Sequence, residues 1–244
     1  MQQNYPQKNG IDFILKDAFS YWSKTLLYQV LYSLLYISVL ILVFYYASAK
    51  YGILEQYLAL GDKLKEGFDV YQAAIAEMTK SPGFMTFYWI MIGALIFLYP
   101  LNLGFYKMFR KIDTGEKPLM EDLFAGYLGT NFFIYTSFYL FWFLIYLYAM
   151  PTVILGVVWV FITLFAAPLM FFMDKKIFES ISLTWKALKL YPLEILVCSI
   201  VAIMFKYIGV LTIIGAIFTL PFWNPMIYAL YKKVFNEVEL NPEK

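Results

Sequence analysis

Histidine is absent from these 244 residues, and cysteine and arginine occur once each, as Cys198 and Arg110. The lack of histidine removes the commonest metal ligand and the usual general base near neutral pH. One cysteine excludes a disulfide framework or a cysteine-based metal site within the chain. Arginine is the residue suited to bidentate phosphate readout, and a formal net charge of +2 makes no case for nucleic acid. Charge of either sign is scarce, at 15% of residues, against about 25% in soluble domains. No Walker-type phosphate loop, GxSxG elbow, HExxH pair or dinucleotide fingerprint occurs. These absences argue against an enzyme, and no cofactor or metal is expected.

What is present is apolar: 62% of residues are hydrophobic and 21% aromatic. A soluble chain of this size could not hide so much apolar surface, so the excess must meet lipid. Six runs approach the roughly 20 residues needed to cross a bilayer, at 25–47, 84–105, 132–150, 153–173, 193–208 and 210–230. They are continuous rather than alternating, which predicts helices and not a membrane barrel. The fifth run is the short one. It predicts a tight outer turn over 206–209, with Lys206 snorkelling to the interface; the alternative is a buried functional lysine.

The lysines set the orientation. Fourteen of the nineteen basic residues fall on the N-terminal stretch, 106–130, 174–192 and the C-terminal stretch; the other connections hold Lys50, Lys63, Lys65, Lys80 and Lys206. The basic side is the cytoplasmic one, so both ends are expected there. The opening MQQNYPQKNG is polar, with no short apolar stretch and cleavage site after it, so no cleaved signal peptide is expected. The outer connection 49–82 carries apolar residues at helical spacing and predicts one or two short helices.

Three segments resemble one another ahead of the odd-numbered runs: KDAFSYW at 16–22, EDLFAGY at 121–127 and ESISLTW at 179–185. Each even-numbered run carries a later proline (Pro100, Pro168, Pro221) followed by a basic cluster. The chain therefore reads as a single all-α membrane domain of three helical-hairpin units, at 11–111, 118–176 and 177–233, with 49–82 inserted in the first. Each unit opens with a cytoplasmic amphipathic interfacial helix. In the first, Ile14, Leu15, Ala18, Phe19 and Trp22 fall near one face and Lys16, Ser20 and Lys24 near another. Trp22, Tyr127 and Trp185 are the expected interfacial anchors.

Pro100–Leu101 with Gly104 and Asp122–Phe124, the Pro168, Asp174 and 177–185 stretch, and the closing segment from Pro221 to Tyr231 resemble a bacterial family of six-span membrane proteins. That family includes the membrane domain attached to some glycerophosphoryl diester phosphodiesterases, and stand-alone relatives of unknown role. The resemblance covers most of the chain, and its motifs are of low specificity. It implies a fold and topology in the bacterial cytoplasmic membrane, not an activity. The phosphodiesterase chemistry belongs to a separate soluble domain, for which these 244 residues leave no room.

Polar groups inside spans are the usual functional candidates. Asn102 and Asn224 follow Pro100 and Pro221, where a kinked helix could line a cavity or the amides could serve packing. Asp174 precedes Lys175 and Lys176, which predicts a solvated ion pair, and Glu194 sits in a first turn after Pro192. The expected function is that of a non-enzymatic structural or accessory protein whose partners are membrane lipids and other membrane proteins. The alternative is a transporter or channel for a small or hydrophobic solute, and a lipid-modifying enzyme ranks last. A transporter would show a pocket touching Asn102 and Asn224 at membrane depth.

Overall fold

A computed structural model describes residues 10–212 and 214–239. Lys8, Lys244 and the extreme ends, which the lysine count put on the cytoplasmic side, lie outside the described residues. Every regular element among the described residues is a helix. Five segments are long and apolar enough to cross a membrane: Leu26–Lys50, Pro82–Asp113, Asn131–Ala149, Val153–Met173 and Pro192–Leu211.

The chain divides into two compact units, one comprising Leu34–Leu98 and the other the residues on either side. The helices in order are α1 (Ile11–Lys24), α2 (Leu26–Lys50), α3 (Ile53–Glu66), α4 (Phe68–Lys80), α5 (Pro82–Leu98) and α6 (Leu101–Asp113). A 3₁₀ helix over Met120–Tyr127 separates these from α7 (Asn131–Ala149), α8 (Val153–Ile162), α9 (Ala166–Met173) and α10 (Ile177–Leu190). Then come α11 (Pro192–Leu211), α12 (Ile214–Thr219), a 3₁₀ turn over Leu220–Phe222 and α13 (Trp223–Glu239).

In the smaller unit, the second half of α2 and α5 are joined by α3 and α4. These are the two short helices expected in the connection. They meet at Gly67, whose φ of 147° is closed to most side-chain-bearing residues. Surface pairs within α3, Lys63–Glu66 and Lys65–Asp62, lie at i,i+3 spacing.

In the larger unit α6 is central. Leu101, Leu103, Gly104, Phe105, Tyr106, Met108 and Phe109 are all buried, so the helix is covered on nearly every side. Its neighbours are α13, α9 and the 3₁₀ helix, and α1 packs on α13. By contrast α7, α8 and α11 leave large aliphatic and aromatic side chains exposed along their length, among them Phe133, Ile154, Leu155, Ile200 and Leu211. In a membrane these are the lipid-facing positions.

One expectation is corrected here. Residues 206–209 are not a turn; α11 runs through them to Leu211. Gly209 serves close packing instead, because a Cβ there would overlap the Thr219 side chain. The sixth run, 210–230, is divided among the end of α11, α12, the 3₁₀ turn and α13. Proline explains part of the division: Pro221 lacks an N–H and opens the 3₁₀ turn where α12 stops.

Candidate functional site

The end of α6 reads Lys107, Arg110, Lys111, Asp113, and these side chains leave the helix in two directions. Lys107 and Lys111 are four apart and share a face. Both reach Asp122 of the 3₁₀ helix, with Lys107 Nζ 2.9 Å from Oδ1 and Lys111 Nζ 2.7 Å from Oδ2. The Leu119 N–H also donates to Oδ2 at 2.8 Å, so the carboxylate closes the start of the 3₁₀ helix. The Asp122 side chain is 0% exposed. Burial works against its charge, but the hydrogen bonds from Lys111, Lys107 and the Leu119 N–H outweigh it and hold the carboxyl below its ordinary range. Two glycines allow this approach. A Cβ on Gly104 would overlap the backbone of Leu123, and one on Gly126 would overlap the Pro100 carbonyl.

Asp113 forms the second node. Its Oδ1 accepts from the Tyr21 hydroxyl of α1 and from Lys232 Nζ at 2.8 Å, and its Oδ2 accepts from the Tyr228 hydroxyl at 2.7 Å. Lys232 also donates to the Tyr21 hydroxyl at 2.9 Å. Burial, then the bond to Asp113, pushes the Tyr21 phenol far above its ordinary value, so it remains a donor at any physiological pH. Asp17, nearby on α1, is raised by burial despite the pull of Lys232. The Phe109 ring lies 5.3 Å from Tyr21 and 5.4 Å from Tyr228, centroid to centroid, and fills the space beneath. One carboxylate thus ties α1, α6 and α13 together.

Beside this node lies a pocket of about 150 Å³, lined by Arg110, Asp113, Thr114, Phe172, Tyr228, Tyr231 and Lys232. The guanidinium carbon of Arg110 sits 5.3 Å from the centre of the Phe172 ring. Among the described residues no group of three His, Cys, Asp or Glu side chains could hold a metal ion.

The predicted residues fall elsewhere. Asn102 and Asn224 meet: Asn224 Nδ2 donates to Asn102 Oδ1 at 2.9 Å, and the Tyr32 hydroxyl donates to the same oxygen at 3.0 Å. Asn102 Nδ2 donates to the Tyr99 carbonyl at 2.9 Å, one residue before Pro100. Pro168 is buried within α9 and Pro221 in the 3₁₀ turn. Asp174 does not pair with its neighbours as expected. It takes a left-handed conformation, φ 50°, that closes α9, and Lys175 pairs with Glu179 at 2.7 Å. The turn hands Lys175 to the next helix, where i,i+4 spacing suits it.

The residues expected at the interface are placed as follows. On α1 the buried face is Ile14, Ala18 and Tyr21. Trp22 donates to the Phe218 carbonyl at 2.9 Å and packs against Phe205 and Phe222, which ties the segment after α11 to the residues just before the Leu26–Lys50 span. Tyr127 stacks on Phe132. On α10 the small polar face is the buried one, with Ser180, Thr184 and Ala187 inward and Phe178 and Trp185 outward. Lys189 lies over the Trp185 ring.

Sequence reasoning missed Asp113, Tyr21, Tyr228 and Lys232. Nothing in the neighbouring sequence marked Asp113 apart from other loop carboxylates, because its partners lie near the two ends of the chain. Compared with known proteins, the chain matches no family model, no curated protein and no solved structure.

Proposed function

We propose that this chain is a non-enzymatic accessory protein of the bacterial cytoplasmic membrane, multi-pass with both ends cytoplasmic, working through contacts with lipid and partner proteins. The observation that carries the reading is where its polar groups go. Asn102 and Asn224, the amides expected to line a solute path, are engaged with each other and with Tyr32 and the Tyr99 carbonyl. Such amides act as glue between helices. Lys107, Lys111 and Asp113 at the end of α6 are likewise drawn into two nodes that join helices. Meanwhile the outer faces of the spans present aliphatic side chains suited to acyl chains.

The same reading takes the layout as six crossings in three hairpins, in keeping with the resemblance to the phosphodiesterase-associated membrane domain. The parallels between α6 and α13 support it, since each follows a proline and together they share the Asn102–Asn224 pair and the Asp113 node. Thr212, exposed at the end of α11, decides the third hairpin. In a Cys198→Ser background, Thr212→Cys in intact cells is expected to react with a membrane-impermeant maleimide from outside. Reaction only after the cells are opened would replace six crossings with a re-entrant third hairpin. For the function itself, purification from native membrane with lipids and proteins read together is expected to recover a reproducible subset of either. Recovery of bulk membrane composition alone, with uptake of a solute by reconstituted vesicles, would refute the accessory reading.

A further inference from the structure

The pocket beside Asp113 has unequal charges. Asp113 is saturated by Tyr21, Tyr228 and Lys232, and Asp17 faces Lys232 from α1. Lys232 is therefore already matched by carboxylates. Arg110 is not: three residues before Asp113 on the same helix, its guanidinium rests on Phe172 and makes no ion pair with a carboxylate among the described residues. It is the chain's one arginine, and a guanidinium offers five N–H donors in a fork that matches phosphate geometry. Lysine would serve for a surface charge, as it does everywhere else in this sequence.

Position indicates where the anion comes from. Arg110, Asp113 and Thr114 stand at the end of the Pro82–Asp113 span, and Phe172 is one residue from the end of the Val153–Met173 span. Two span ends converge on the pocket, and in the six-crossing reading above that junction is the headgroup layer. Size narrows the ligand further. About 150 Å³ falls below the roughly 300–1,000 Å³ of sites that enclose drug-sized molecules or cofactors, so the pocket has room for a phosphate group with the rest of its molecule outside. A cationic headgroup is disfavoured despite the aromatic walls of Phe172, Tyr228 and Tyr231. The Phe172 face already carries Arg110, the Asp113 charge is already met by Lys232, and a third cation would be repelled by both.

We infer that Arg110, seated on Phe172 at the mouth of this pocket, binds the phosphodiester of an anionic phospholipid headgroup. The inference rests on the lipid-contact reading above and gives it a site. Arg110 is exposed, so replacing it leaves the Asp113 node and the fold intact. The test uses the full chain in nanodiscs of equal parts phosphatidylcholine and phosphatidylglycerol. Lipid retained on gentle detergent release is then read by native mass spectrometry, with inorganic phosphate titrated separately onto detergent-solubilised protein.

The unaltered chain is expected to retain phosphatidylglycerol over phosphatidylcholine. Arg110→Gln is expected to cut that preference about tenfold, the effect of losing a charge-assisted hydrogen-bonded contact. Arg110→Lys should fall between, because the charge remains and the fork is lost, and Lys186→Gln, a charge control on α10, should change nothing. No lipid preference in the unaltered chain would sink the lipid-contact reading and the site with it. A preference equally affected by Arg110→Gln and Lys186→Gln would leave that reading standing and overturn the pocket. Inorganic phosphate binding that depends on Arg110, with lipid retention unmoved, would overturn the headgroup as its source.

Discussion

The helices around α6 and the helices α7, α8 and α11 are built from the same amino acids and solve different problems. Around α6, Phe105 and Asp122 are both fully buried, Asp113 and Asp122 both face lysines, and two glycines bring backbones into contact. Along α8, Ile154 is 74% exposed, with little cover from the described residues. The first region is finished by the protein itself, at close-packed density. The second is finished by lipid, which is as apolar as the side chains and leaves little to be specified. The difference teaches that precision in this molecule is concentrated where the spans emerge, not within them.

The largest test of that difference is steric. Gly104→Leu is expected to abolish the monodisperse folded protein in detergent, because even its Cβ would overlap the Leu123 backbone. Gly93→Ala on α5, where no atom lies within 4 Å of the added Cβ, is expected to leave thermal stability equal or slightly higher, since alanine suits a helix better than glycine by about 0.5–1 kcal/mol. Size-exclusion profiles and detergent unfolding curves read both. Equal tolerance at the two positions would erase the contrast between the regions.

The carboxylate nodes come next. Asp122→Asn removes the charge that two lysines face, and breaking a buried pair costs about 3–5 kcal/mol. Lys107 is 38% and Lys111 20% exposed, so solvent screening brings the expected loss to roughly 2–3 kcal/mol. The pH dependence follows from a carboxyl held below its ordinary value of 3.8 in the folded state. Its contribution is fully present above that value and is lost as pH falls through the depressed one. Unfolding temperatures of the two proteins should therefore differ most at neutral pH and converge under acid. Asp113→Asn should cost less, about 1–2 kcal/mol, because that node is a quarter exposed on its acid side and the asparagine still accepts from the tyrosines.

Much of this was legible in the sequence, and the part that was not has a physical reason. Bilayer-length apolar runs announce spans whatever their environment, so all five long segments stood out by composition, with only the end of the fifth misplaced. Composition cannot tell a lipid-facing residue from a buried one, since both are greasy. Tyr21 and Tyr148 look alike in the sequence, yet one is 4% and the other 86% exposed. On α10 the amphipathic pattern was visible, but which face meets the protein was not. Ser180 and Thr184 turn inward, and Thr184 satisfies its hydroxyl on the Ser180 carbonyl at 2.8 Å, while Trp185 turns out. Water would reverse that arrangement and lipid permits it. The pairing of Asn102 with Asn224, separated by 122 positions, needed the fold to bring α6 and α13 side by side. Asp122 was visible within a motif, whereas Asp113 had no local signature because its three partners come from the two ends of the chain.

The smallest expected effect is in the lipid-finished region. Ile154→Ala on α8 removes a branched side chain that touches little of the protein, so no cavity term arises and the unfolding temperature in detergent should stay within the ±0.5 kcal/mol typical of exposed positions. The same truncation in a packed core costs about 2–5 kcal/mol, and Leu169→Ala on α9, at 0% exposure, is expected to show that cost. Buried area separates the two positions, not residue type or hydropathy. If Ile154→Ala were as damaging as Leu169→Ala, some surface other than lipid would have to cover α8, and a second copy of the chain or a partner protein would replace the acyl chains in this account. Cross-linking from position 154 in native membrane would then identify which.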